Sequence, residues 1–182
     1  MTKQAGLENK AKVYAAKIIR LPFVRMVVLT GSVATGEATQ KSDIDFLIVT
    51  KKRRIYLARA IIVVMAKIWG EYRSNNNVAG KLCLNWFLSD NLAFDINALK
   101  IEFKLIIKNF KLSEVKVGKV RLLEQRSQEN EIEKPLSGKI GDALEQLAKK
   151  YQVWRIKKDP RTYAKGSLVR WADDELGFHP PK

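Results

Sequence analysis

The chain has 182 residues, 46% of them hydrophobic and 29% charged, a globular balance with room for one ordinary core and an appendage rather than two independent domains. Thirty-four Lys and Arg against nineteen Asp and Glu leave a net charge of +15, which attracts nucleotides, nucleic acid or anionic membrane surfaces but names none of them. One cysteine and one histidine exclude an internal disulfide and a structural Cys/His zinc cluster, so a reducing cytoplasm is expected, with no secretory signal and no apolar run near the ~20 residues of a membrane span.

Apolar side chains at Leu7, Ala11, Tyr14, Ala15, Ile18 and Ile19 recur at helical spacing and predict a first helix over Leu7–Ile19, closed by Pro22. Val24–Thr30 (VRMVVLT) is short, rich in β-branched residues and stopped by Gly31, the pattern of a buried strand. The small, polar stretch Ser32–Ser42, interrupted by Gly36, suits a short helix and a loop. Asp43–Thr50 (DIDFLIVT) predicts a second strand that begins charged and ends buried. After a basic cluster at 51–54, the continuous apolar run Ile55–Trp69 suits a helix packed on a sheet, ended by Gly70. A loop with Ser74–Asn77 and Gly80 leads into a third strand, Leu82–Leu88 (LCLNWFL), after which Ser89, Asp90 and Asn91 turn the chain.

Further on, Ile96, Leu99, Phe103, Ile106, Ile107 and Phe110 lie near helical spacing and predict a helix over Phe94–Phe110. Residues 111–134 are charged and weakly patterned. Ile140–Val153 is an amphipathic helix with Ile140, Leu144, Leu147, Ala148 and Tyr151 on its apolar side. From Lys157 onward, Pro160, Gly166, Gly177 and two terminal prolines among Arg and Lys read as loop.

The chemistry concentrates at the second strand. Asp43 and Asp45, at i and i+2, project to one side with Cβ atoms about 7 Å apart, and two like charges held together call for a hard dication and its phosphate ligands. Gly31 lets a backbone approach a phosphate closely, and Ser32 adds a hydroxyl donor. The whole pattern is an apolar strand, Gly31-Ser32, ten residues, Asp43-Ile44-Asp45 and another apolar strand. It resembles the signature of the nucleotidyltransferase superfamily, which includes DNA polymerase β, kanamycin nucleotidyltransferase and the minimal nucleotidyltransferases. The resemblance covers about 7–88 and is closest over 27–50.

That resemblance implies an α/β (α+β) fold, a small mixed β-sheet flanked by helices, in a core over residues 1–110. A basic, mainly helical C-terminal region, 111–182, is expected to pack on the core or extend from it. It implies that Asp43 and Asp45 hold Mg²⁺ (or Mn²⁺) and act in catalysis, that Gly31 and Ser32 hold the triphosphate of a nucleoside triphosphate, and that Ser42 belongs to the same mouth. Active relatives usually add a third carboxylate from a later strand; here that place falls on Asn85, a weak metal ligand that cannot act as a base, with Asp90 or Asp95 as replacements under another strand register.

The expected reaction moves a nucleoside monophosphate to a hydroxyl acceptor. The alternatives are a catalytically weakened nucleotide- or nucleic-acid-binding protein and an antitoxin-like partner of a helical protein. The basic C-terminal region around Trp154 and Trp171 is the best candidate for contact with RNA or DNA. Cys83 reads as a small core residue, and His179 carries no assigned role.

Overall fold

The computed structural model describes residues 2–74, 76–91, 121–125 and 131–178. The helix predicted over Phe94–Phe110, together with Asp95 and His179, lies outside them. Helix α1 spans Lys3–Ile18 and starts a turn earlier than its apolar spacing predicts, because the Thr2 hydroxyl caps it by accepting the Ala5 N–H. Strand β1, Val24–Thr30, leads directly into α2, Gly31–Thr35; β2 is Ile44–Thr50, α3 Ile55–Ile68 and β3 Leu82–Ser89. After β4 (Arg121–Gln125) come the long helix α4 (Lys139–Lys158) and two short strands, β5 (Arg170–Trp171) and β6 (Glu175–Gly177).

The six strands form one mixed sheet in the order β4-β1-β2-β3-β6-β5. Strand β2 runs antiparallel to β1 and parallel to β3, and the parallel pair is made possible by α3, which carries the chain back across the sheet. Alternate residues of β2, Ile44, Phe46 and Ile48, share one buried cluster with Ala11, Ala15 and Ile18 of α1 and Ile62 and Ala66 of α3. Both helices therefore cover the same face, and Asp45, between Ile44 and Phe46, points to the other. The expected mixed sheet flanked by helices is what the chain forms. No helix among the described residues is long and apolar enough to cross a membrane.

Two features depart from the pattern expected of the C-terminal region. The stretch read as loop after Lys157 contributes β6, which pairs Phe87 with Leu176, and β5 beyond it; the weakly patterned 111–134 contains β4, which pairs with β1. At five, two and three residues these strands are too short to show alternation.

The second departure is the orientation of α4. Its predicted apolar side is largely in solvent, with Ile140 67%, Leu147 62% and Tyr151 60% exposed, while Gly141, Glu145, Gln152 and Ile156 are buried. The reason is polar. Helix α3 has no side-chain cap of its own, and the Glu145 carboxylate accepts the first-turn N–H groups of Tyr56 at 3.0 Å and Leu57 at 2.7 Å. Gln152 then donates to the Tyr56 carbonyl at 2.8 Å and accepts from Arg59 at 2.8 Å, and Arg54 pairs with Asp142 at 2.7 Å. Burial raises the Glu145 pKa, and the two backbone donors work against that rise.

Glu145→Ala leaves two buried N–H groups without an acceptor and is expected to cost about 2–3 kcal/mol in urea unfolding, with Glu145→Gln recovering part of it. An Ala variant with the parent's urea midpoint would show that apolar packing, not this cap, orients α4.

Candidate active site

Strand β1 delivers Thr30 opposite Asp45 in the antiparallel ladder, and the Thr30 hydroxyl donates to the Asp45 carbonyl at 3.3 Å. The chain then turns at Gly31 with φ +68, a left-handed conformation that costs glycine nothing. A Cβ at Gly31 would overlap Asp45 Oδ2 and lie 3.1 Å from Asp45 Cγ. Glycine is thus required twice over, and the Asp45 carboxylate rests directly on the backbone of the Gly31 turn. Ser32 Oγ donates to Ser42 Oγ at 3.1 Å, and Ser42 Oγ also accepts the Thr39 N–H at 2.9 Å. This pair ties the turn after β1 to the loop that enters β2, so Gly31, Ser32, Ser42, Asp43 and Asp45 converge at one end of one sheet.

Asp43 sits just before β2, with its side chain 18% exposed. Arg73 Nη1 lies 2.9 Å from Asp43 Oδ2 as an ion pair without hydrogen-bond alignment, and that buried oxygen has no hydrogen-bond partner among the described residues. The Arg73 side chain is 45% exposed. Ligand atoms from Asp43, Asp45 and Cys83 all lie within 4.8 Å of one another. Burial, then the neighbouring Asp43 charge, raise the Asp45 pKa to about 6. Burial and the Asp45 charge push the Cys83 thiol well up, so it stays protonated; it bonds to Asp45 and accepts from Arg73 at 3.1 Å. A neutral thiol is a poor partner for a hard cation, which leaves the two carboxylates as the donor set. A buried carboxylate oxygen with an ion pair but no hydrogen bond, beside a second carboxylate, fits a divalent ion.

Strand β3 carries Asn85. Asp45 pairs with Cys83 and Leu47 with Trp86, so two steps along β2 are matched by three along β3. This bulge resets the alternation, letting both Leu84 and Phe87 reach the helix-side core. Asn85 Nδ2 donates to Asp45 Oδ1 at 3.4 Å. Asp90 is at the other end: it follows Ser89, which pairs with Thr50, and it accepts the Lys52 N–H at 3.0 Å. Five strand residues, roughly 16 Å, separate that end from Asp45, so Asp90 does not replace Asn85.

Two residues at this mouth carry no role in the sequence reading. Cys83 stands opposite Asp45 only through the β2–β3 register, which apolar runs do not encode. Arg73 reaches Asp43 from an irregular loop, and no spacing marks it. The weak signal available for Arg73 is a cation just ahead of a strand whose neighbour opens with two acids.

In structure, the chain is similar to a solved protein described as "Crystal structure of the toxin-antitoxin with AMP-PNP", at 12% identity and a TM-score of 0.34 over 82% of this chain and 92% of that one. A search of curated proteins finds no match. The family model for the nucleotidyltransferase domain matches residues 15–168, a span that holds the glycine turn, both carboxylates, Asn85 and α4. The chain belongs to the nucleotidyltransferase domain family.

Proposed function

We propose that this chain transfers a nucleoside monophosphate from a nucleoside triphosphate to a hydroxyl acceptor, with Asp43 and Asp45 holding Mg²⁺ or Mn²⁺ and Gly31, Ser32 and Ser42 holding the triphosphate. The acceptor oxygen bonds to the α-phosphorus, the bridge to the β-phosphate breaks, pyrophosphate leaves and the hydroxyl proton passes to solvent. The observation that carries this reading is the seat of the Asp45 carboxylate on the Gly31 turn, which supports a cation ligand and a phosphate-binding turn acting as neighbours. A bound dication supplies charge neutralisation at the phosphates and orients them for in-line displacement. The chain's own contribution is placement. Asp43 and Asp45 present two oxygens from one strand end, Gly31 lets the Asp45 carboxylate lie against the turn that would hold the phosphate, and the Ser32–Ser42 hydroxyl pair offers a donor on the same rim.

Incubation with each labelled nucleoside triphosphate and Mg²⁺ should label an acceptor with the parent protein and not with Asp43→Ala plus Asp45→Ala. Retained nucleotide binding without any transfer by the parent favours a second reading, a nucleotide-binding protein of weakened catalysis. Asn85 supports that reading, because an amide that donates to Asp45 accepts no proton. A helical protein partner is a further part of the proposal. Ile140, Leu144, Leu147 and Trp154 lie on the outer side of α4 at spacings of four, three and seven, as in a coiled-coil seam. Copurification of a helical protein, lost on Leu147→Lys plus Trp154→Lys, is the expected result.

A further inference from the structure

On the helix-covered side of the sheet, away from the carboxylates, a cavity of about 300 Å³ opens between α3 and α4. Four cationic side chains line it, Arg59, Lys67, Arg155 and Arg161, against one carboxylate, Asp159. Asp159 is already committed: Arg161 grips it through Nε at 3.0 Å and Nη2 at 2.6 Å. Among the described residues no carboxylate lies within ion-pair distance of Arg59, Lys67 or Arg155. Among the described residues, Asp159 is therefore the one carboxylate in a lining of four cations, and Arg161 holds it.

Arg59 is the most telling of these cations. Its Nη1 donates to Gln152, its guanidinium stacks 4.2 Å from the Phe178 ring centroid, and its Nε is buried without a hydrogen-bond partner. Burial also lowers its pKa from the ordinary arginine value, the direction expected of a cation short of a counter-charge. A buried charge left in this state is unfavourable by itself and is relieved by an anion brought into the cavity. The rest of the lining is apolar or aromatic, with Val63 and Ile156 on the floor and Tyr72, Tyr151 and Phe178 among the walls. A cationic rim over such walls selects a phosphate joined to a flat ring rather than a bare inorganic anion.

We infer that this cavity is a second binding site, separate from the carboxylate pair, for a small phosphomonoester with a planar ring, of the size of a nucleoside monophosphate. Its phosphate lies against Arg59, Lys67 and Arg155, and its ring lies along the aromatic wall. No cation is needed, since the protein supplies the positive charge itself.

The test is calorimetric titration of the full chain in EDTA, which silences metal-dependent binding at the carboxylates, with AMP, inorganic phosphate and adenosine as separate probes. AMP is expected to bind once per chain, phosphate more weakly and adenosine weakest. Lys67→Glu plus Arg155→Glu, both on exposed positions, should weaken AMP at least about tenfold while leaving the melting temperature unchanged. No AMP binding at millimolar concentration overturns the inference. So does AMP binding that ignores both charge reversals, which would put the nucleotide at the Gly31 turn. A single-stranded oligonucleotide bound more tightly than AMP, and weakened by the same reversals, overturns it in favour of a nucleic-acid surface.

Discussion

Asp45→Asn is expected to abolish nucleotidyl transfer and at the same time make the metal-free protein more stable at pH 8. The two effects share one cause. In the folded chain the Asp45 carboxyl titrates at about 6 instead of its ordinary 3.8, because it is buried and Asp43 stands beside it. A folded-state pKa above the unfolded one favours folding fully below pH 3.8, and that contribution is lost as pH rises through 6. The loss on going from pH 4 to pH 8 is on the order of 3 kcal/mol.

The amide carries no charge, so the substitution removes this penalty. A gain on the order of 5–10 °C in melting temperature is expected at pH 8 in EDTA, falling to almost nothing near pH 4. Transfer activity should fall by at least about 10²–10³-fold, as when a preorganised charge is withdrawn from a transition state. Thermal melts of parent and variant across pH, with and without Mg²⁺, decide the matter. A variant that melts below its parent at pH 8 without metal would mean that Asp45 holds the fold together rather than storing repulsion for a cation.

The parts of the fold that organise this site were legible because they are long, apolar and bracketed by small residues. Val24–Thr30 before Gly31, Ile44–Thr50 after the two acids and Leu82–Ser89 each bury most of their side chains, and Ile55–Ile68 is a continuous apolar run, so composition alone separates them from the loops. Gly31 was legible as a turn that only glycine suits, and the structure gives the reason as the Asp45 carboxylate, a tertiary contact across the β1–β2 ladder.

The inverted face of α4 was not legible for a related reason. Periodicity assigns the apolar stripe to the core, whereas the two hydrogen bonds that Glu145 accepts from the first-turn N–H groups of α3 outweigh that preference. Nothing local to 139–158 announces that a helix some eighty residues earlier lacks a cap. The same holds for the cavity, whose cations come from α3, α4 and the segment after α4 and read as a solvated basic surface until the fold brings them together.

Asn85→Asp is the converse experiment, and it should raise transfer while weakening the metal-free fold. Asn85 stands beside the acid pair but offers an amide, whose Nδ2 donates to Asp45 Oδ1 at 3.4 Å. A carboxylate there adds an acceptor for the proton of the attacking hydroxyl and a third charged ligand, and a positioned general base contributes about 10²–10⁴-fold.

The cost is electrostatic, since two unit charges near 4 Å repel by about 4 kcal/mol at an effective dielectric of about 20, before protonation or a bound cation relieves them. In EDTA at pH 8 the variant should therefore melt below the parent, and Mg²⁺ should return most of the difference by binding the folded state alone. Transfer rate and Mg²⁺-dependent melting are to be read on the same preparation. Restored melting with no gain in transfer would show that the amide at this position does not limit catalysis and that the proton has another exit. A gain in both would identify Asn85 as the residue that sets the activity of this nucleotidyltransferase domain.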